Sequence, residues 1–255
     1  MSNVVRRGSI GRISLVFAFA AFSVLASAQE HHAPHWSYQG ATGPEHWGDL
    51  NPEYSTCKAG HSQSPINIAN AVPEKLPAIE FHYSASPLKI VDNGHTVQVS
   101  YAPGSYIAVG GKQYSLVQFH FHHPSEEEFN GSRSDLVIHL VHKSADGQLA
   151  VVAVLFDKGA ANPAIDAMVN HLPTVKEQEV SAEAKINAED LLPSKRSYYT
   201  FSGSLTTPPC TEGVRWFVMQ TRSTLSNEAL EKLAKLYPNN ARPVQPLNGR
   251  VVNSN

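Results

Sequence analysis

The sequence predicts a mostly β, single-domain fold with a few short helices at its periphery. Three observations carry that prediction. Runs of β-branched and aromatic residues recur through the C-terminal two thirds of the chain. Glycine, proline, asparagine and aspartate punctuate those runs at turn positions. Only two stretches carry helix start and stop signals. The 255 residues show no internal repeat, low-complexity tract or linker between halves. With 42% hydrophobic and 16% charged residues, the composition excludes collagen, coiled coil and wholesale disorder. A formal net charge of −2 leaves no basic excess for nucleic acid.

The first segment reads as an address and lies outside the fold. Arg6, Arg7 and Arg12 precede an apolar run from Ile13 to Leu25, and Ala26-Ser27-Ala28 follows. A charged start, a short apolar core and small residues at a cleavage site make a secretory signal peptide over residues 1–28. The run is short for a span of about 20 residues, and the A-x-A site favours cleavage over an uncleaved anchor. Cleavage after Ala28 leaves residues 29–255 as one domain with no stable membrane anchor. Cys57 and Cys210 are the only two cysteines, and an oxidising compartment favours pairing them.

Strands are expected over 96–101, 114–122, 136–142, 149–156 and 214–221. Asn93-Gly94, Pro103-Gly104, Gly110-Gly111, Asn130-Gly131 and Asp146-Gly147 separate them, and Asp146-Gly147 between two apolar runs is a hairpin signal. A short helix opens at Asn162-Pro163, with Asn as cap and Pro at the first position, and runs toward His171. A second opens at Ser226, with Leu230, Leu233 and Tyr237 at helical spacing, and Pro238 ends it.

Thirteen histidines against 3 Met and 2 Cys is the unusual count. Histidine is the commonest metal ligand and a proton carrier near neutral pH. In Gln118-Phe119-His120-Phe121-His122, strand alternation puts Gln118, His120 and His122 on one face and the two phenylalanines on the other. Leu136 to His142 follows after a polar, turn-rich segment. An antiparallel return stands His139 opposite the H-x-H pair, whereas His123 and His142 have the wrong parity. Three imidazoles with a fourth position open make a catalytic zinc site. Spacing alone leaves that site and an ordinary histidine cluster as open alternatives. No H-E-x-x-H occurs, nor H-x-E with P-C-x-x-C, so protease and deaminase readings lack their general base.

Further segments join this one: Trp36-x-Tyr38, Gly43-Pro44-Glu45-His46-Trp47, Gln63-Ser64-Pro65-Ile66-Asn67-Ile68, Asn93-Gly94-His95, Pro124-Ser125-Glu126, His139-Leu140-Val141-His142, Ser204 to Cys210, and Arg242-Pro243-x-Gln245-Pro246-Leu247-Asn248. In this order they resemble the α-class carbonic anhydrases over nearly the whole mature chain. The resemblance implies a twisted, largely antiparallel sheet of about ten strands, with a metal at the base of a cone-shaped cleft. It implies reversible hydration of CO2 to bicarbonate and a proton by a zinc-bound hydroxide, with Zn²⁺ on His120, His122 and His139.

Carried over residue by residue, Thr206 orients the hydroxide by accepting its hydrogen bond and donating its own to Glu126. Thr207 touches bicarbonate. Val141, Val151, Leu205 and Trp216 line an apolar CO2 wall. Tyr38, Asn93 and Gln98 order a water chain, and His95 ferries the proton to buffer. Gln118 serves His120 from behind, and the backbone or side chain of Asn248 serves His122. By residue pattern alone, Glu126 is a loop carboxylate, Thr206 a turn residue, His95 an exposed loop histidine and the apolar four ordinary core.

Two positions depart from the family. Most members place a glutamate two residues before the third ligand, where this chain has Val137. Most have histidine after the Pro-Ser-Glu glutamate, where it has Glu127. The expectation is one compensated swap, with Glu127 reaching His139. Exported bacterial relatives carry cysteines where Cys57 and Cys210 stand, and pairing would pin the loop bearing Thr206. The resemblance places the protein in the periplasm, with secretion beyond it and a homodimer as open options. A non-catalytic binding module on the same fold is the competing function, but such members usually lack a zinc histidine, and all three are present here.

Overall fold

The computed structural model describes residues 1–2 and 35–255, so the signal-peptide reading falls almost wholly outside the described residues. Residues 34–255 form one compact unit, and no helix among the described residues is long and apolar enough to cross a membrane.

Ten strands follow one another across one sheet. Their order is Val180–Ile186, Ser86–Asp92, Val97–Ser100, Lys112–His122, Leu136–Lys143, Leu149–Lys158, Glu212–Met219, Tyr198–Ser204, Asn253–Ser254 and Val72–Pro73. Glu80–His82, Tyr106–Val109 and Ser223–Leu225 join it off this path. Pairing is antiparallel except where Leu149–Lys158 meets Glu212–Met219 and Ser223–Leu225, and where Asn253–Ser254 meets Val72–Pro73. Each expected strand is present within a few residues of its expected bounds. Eight further strands among the described residues complete the sheet: Val72–Pro73, Glu80–His82, Ser86–Asp92, Tyr106–Val109, Val180–Ile186, Tyr198–Ser204, Ser223–Leu225 and Asn253–Ser254.

Turn chemistry closes the hairpins. Asn130 and Gly131 both have positive φ, 51° and 79°, and connect the short strands Glu128–Phe129 and Ser132–Arg133. Two consecutive left-handed residues are what an Asn-Gly two-residue turn requires. The helices start where capping chemistry places them. Asn162 Oδ1 accepts from the Ala164 and Ile165 amides ahead of Pro163–Val169, and Ser226 Oγ accepts from Ala229 ahead of Asn227–Leu236.

The sheet buries both faces. Along Leu149–Lys158, Ala150, Val152, Val154 and Phe156 enter the larger core, and Val151, Ala153 and Leu155 enter a second cluster on the opposite face. That double burial explains why the strand reads as an unbroken apolar run. Lys112–His122 departs from simple alternation. Tyr114 and Leu116 share the larger core with Phe119 and Phe121, so parity changes at the exposed Val117. Opposite it the register shifts between Val141 and His142, which marks a β-bulge. Beyond the bulge, Gln118, His120 and His122 lie on the face of the second cluster.

His142 lies on the larger-core face, fully buried, with Nε2 2.8 Å from the Tyr83 hydroxyl. Burial pushes its pKa down to about 3. An imidazole that titrates near 6.5 when unfolded and near 3 when folded leaves stability intact above pH 6.5. Below that the unfolded chain binds the proton that the folded chain refuses, and stability falls toward pH 3. At pH 5 the loss is roughly 2 kcal/mol. A His142→Gln variant keeps a polar partner for Tyr83 and should lose that part of the acid slope in Tm. An unchanged slope between neutral pH and pH 5 contradicts the assignment.

Candidate metal centre and its cleft

The register across two strands builds the centre. His139 pairs directly with His120, and Val137 with His122. The three imidazoles therefore project from adjoining strands on one face, and one ring nitrogen from each lies within 4.8 Å of the others. Each ring is held from behind. His120 Nδ1 lies 2.9 Å from Gln118 Oε1, His122 Nδ1 2.7 Å from the Asn240 carbonyl, and His139 Nε2 3.0 Å from Glu127 Oε1. A ligating imidazole donates its second N–H to such an acceptor, which fixes its tautomer and orientation.

The unused nitrogens face inward. His122 Nε2 is buried with no hydrogen-bond partner, and Glu126 Oε2, also without one, stands 3.5 Å from it and 3.9 Å from His139 Nδ1. Buried polar atoms without partners cost about 1–3 kcal/mol each, so a cluster of them around three imidazoles fits a bound cation. Three nitrogen donors with an open side toward a cleft are the donor set of a catalytic zinc site. Burial, with His139 nearby, pushes His120 down to about 3, and burial pushes His122 well below the usual imidazole range. Both rings thus offer lone pairs at neutral pH. For His139, burial pulls the pKa down, but the Glu127 charge and hydrogen bond, with Glu126, lift it above the usual value.

Two readings of the outer groups resolve differently. Glu127 is fully buried against His139, and Val137 beside it is part of the apolar cluster. Asn248 does not serve His122. It is exposed, has φ of 48°, and donates from Nδ2 to the His61 carbonyl at 2.9 Å. The acceptor is instead the backbone carbonyl of Asn240. A main-chain oxygen has no residue type of its own, so no motif could announce it. Arg242, to which no residue pattern gives a role, also supports the site. Its N–H donates to Glu126 Oε1 at 2.8 Å, and its buried guanidinium donates to Gln63 Oε1, the Ser64 carbonyl and the Cys57 carbonyl. Burial, opposed by Glu126 and Tyr38, brings its pKa to about 10, so it stays a cation.

Burial raises the Glu126 carboxyl to about 7, His139 opposes that, Glu127 adds to it, and the Thr206 hydroxyl and Arg242 N–H pull it back. Thr206 is buried beside it, although Oε2 has no partner in full hydrogen-bond geometry.

The cleft over the centre has a volume of about 130 Å³, and its lining includes Tyr38, Asn93, His95, Gln98, Gln118 and Thr207. The apolar wall follows from sheet register. Val141 pairs with Val151, and Val151 with Trp216, so the three stand in one row across three strands. Leu205 packs on the same cluster, and the Trp216 ring lies 4.9 Å from His139. His95 sits at the mouth with its ring parallel to Trp36 at 3.6 Å. Its pKa lies below the usual imidazole value because of burial, then His35 and Lys176, with Glu177 and Asp92 opposing. It is therefore neutral, and able to accept a proton, at neutral pH.

Cys57 and Cys210 form a disulfide that closes over 153 positions. It anchors the loop carrying Thr206 and Thr207. Within that loop Cys210 donates to the Thr207 carbonyl at 2.8 Å, and Gln63 Nε2 donates to the Cys210 carbonyl at 3.0 Å. Loop entropy for so long a closure is on the order of 4 kcal/mol, commonly less in practice. A Cys57→Ser, Cys210→Ser variant should melt well below the parent and lose catalytic rate beyond what its unfolded fraction explains. A reduced protein with parental Tm and rate contradicts that coupling.

A strand-built triad of imidazoles, each backed by an acceptor and opening on a cleft with one polar and one apolar wall, has the architecture of a metalloenzyme. Residues 42–255 match the family model described as eukaryotic-type carbonic anhydrase. A carbonic anhydrase of Klebsiella pneumoniae is 44% identical, over 86% of this chain and 91% of that protein. Among solved structures, the α-carbonic anhydrase of Thermovibrio ammonificans, in complex with the inhibitor sulfanilamide, shares 46% identity at a TM-score of 0.83, covering 86% of this chain and 98% of that one. A hyperthermostable carbonic anhydrase identified from an active hydrothermal vent chimney shares 50% at 0.84, covering 86% and 99%. The chain belongs to the eukaryotic-type, or α-class, carbonic anhydrase family.

Proposed function

We propose that the protein catalyses the reversible hydration of CO2 to bicarbonate and a proton, with Zn²⁺ held by His120 Nε2, His122 Nε2 and His139 Nδ1. The observation that carries this reading is the set of three inward nitrogens, each ring locked by its own acceptor. A zinc ion supplies Lewis acidity there, which in carbonic anhydrases as a class brings the pKa of its water close to neutral.

The chain's own residues do the rest. Val141, Val151, Leu205 and Trp216 give CO2 an apolar surface beside the centre, where a neutral, weakly hydrated gas gains by displacing water. Thr206, donating its hydroxyl proton to Glu126, presents an oxygen that can only accept, and so aligns the attacking oxygen toward the substrate carbon. The Arg242 N–H and guanidinium favour the anionic form of Glu126 that this needs. Thr207 offers a hydrogen bond to bicarbonate. Tyr38, Asn93 and Gln98 line the polar wall along which water carries the released proton, and His95 passes it from the mouth to buffer.

The leader pattern and the disulfide support an exported, most simply periplasmic, enzyme. N-terminal sequencing of the exported protein should begin at Gln29. The decisive experiment is stopped-flow CO2 hydration on residues 29–255, with zinc quantified on the same sample. Fast, chelator-sensitive hydration is expected. Zinc bound without hydration would favour a binding module on this fold.

A further inference from the structure

Asn240 was not singled out by any motif, yet it is fully buried and every polar group it has is engaged. Its N–H donates to the His123 carbonyl at 3.1 Å, and its own carbonyl receives His122 Nδ1. In the side chain, Oδ1 accepts the His123 N–H at 2.8 Å, and Nδ2 donates at 3.1 Å to both the Phe121 carbonyl and the His95 carbonyl. One carboxamide therefore joins the end of the ligand strand to the loop at the cleft mouth.

That loop is well organised within itself. Asn93 Oδ1 accepts the amides of His95 and Thr96, and Asp92 Oδ1 accepts the Gly94 amide and the Tyr237 hydroxyl. These bonds set the loop's shape. They do not set where His95 stands relative to His120 and His122. The Thr96 hydroxyl also reaches the Phe121 carbonyl, at 2.6 Å, and Gln98 pairs with His120 in the ladder just beyond, while the Asn240 Nδ2 bond is the side-chain contact that ties His95's own carbonyl to that strand.

We propose that the Asn240 side chain is a positioning residue for proton transfer, fixing His95 at a set distance from the zinc ligands. This rests on reading His95 as the proton carrier. Proton relay through ordered water depends steeply on the placement of its terminal acceptor, whereas CO2 attack at the centre does not involve His95. The Asn240 main-chain carbonyl that supports His122 survives substitution of the side chain. Loss of Nδ2 should thus separate the two steps.

The test uses the zinc-loaded protein and four forms: parent, Asn240→Asp, His95→Ala and the double variant. Asn240→Asp keeps the acceptor for His123 and loses both Nδ2 donations; Asn240→Ala serves as the second variant should Asp fail to fold. In weak buffer kcat should fall about fivefold, the scale of a lost buried hydrogen bond, while kcat/KM stays within about twofold. Added imidazole should restore kcat. In the His95→Ala background the Asn240 change should have no further effect on kcat. The His95 Cε1–H resonance, shifted by the Trp36 ring at 3.6 Å, should move toward its unstacked position in Asn240→Asp. Equal falls in kcat and kcat/KM, an unmoved resonance, or an undiminished Asn240 effect without His95 would each overturn the proposal. An unchanged kcat in His95→Ala alone would overturn the reading of His95 beneath it, and is told apart because that variant leaves Asn240 intact.

Discussion

Replacing His139 with alanine should weaken zinc binding by on the order of 10³-fold and abolish CO2 hydration at ordinary zinc concentrations. Zinc sites of four protein ligands bind with roughly 10–16 kcal/mol, so one nitrogen donor carries about 2.5–4 kcal/mol, the upper end of which is on the order of 10³-fold. The variant also strands Glu127. Its carboxylate is fully buried, Oε1 faces only His139, and Oε2 already lacks a partner. Removing one member of a buried ion pair typically costs 3–5 kcal/mol because the other charge is left uncompensated. His139→Ala should therefore lose both metal and thermal stability. His120→Ala should lose metal with a smaller fall in Tm, because its partner Gln118 is neutral and next to the cleft. Metal analysis and melting curves of the two variants check this. Equal Tm losses, or retained zinc in either, would contradict it.

The second large effect concerns Glu127 itself. Glu127→Leu should weaken zinc binding 10- to 100-fold, the range found when an acceptor behind a ligating histidine is removed. Glu127→Gln keeps an acceptor oxygen and should lose less. Position 137 shares the face of His139, two residues along the same strand, and Val137 is fully buried there. A double change, Glu127→Val with Val137→Glu, should thus recover part of the affinity that Glu127→Val alone loses. Competition against a chelator of known zinc affinity reads all four proteins. If Glu127→Leu binds zinc as tightly as the parent, the carboxylate has no supporting role, and its 3.0 Å contact with His139 is incidental.

The sequence made the centre legible because its signal is periodic. Alternation from Gln118 to His122 and an antiparallel return through His139 needed only strand geometry, and the observed pairing of His139 with His120 follows it. The bulge at Val117 was not legible. Nothing in Leu116-Val117-Gln118 announces that alternation slips there, and the slip is what puts Leu116 in the core and Gln118 in the cleft. Caps at Asn162 and Ser226 were readable because a side chain performs them. Asn240 was unreadable for the opposite reason, since its contact with His122 is made by the main chain. Asn248 shows the hazard of carrying a role by motif alone: the Pro-Leu-Asn segment is present, yet the chain reaches His122 eight residues earlier. Strands such as Val180–Ile186 escaped because an edge strand with alternate exposed Ser181, Glu183 and Lys185 has the composition of a loop.

Stripping the metal and titrating zinc back while following CO2 hydration tests the central claim most directly. Activity should rise linearly from near zero and level off at one equivalent per chain, and the His139→Ala protein should stay flat over the same range. Full hydration by the zinc-free protein, or a parent that binds no zinc, would contradict a catalytic centre built on His120, His122 and His139.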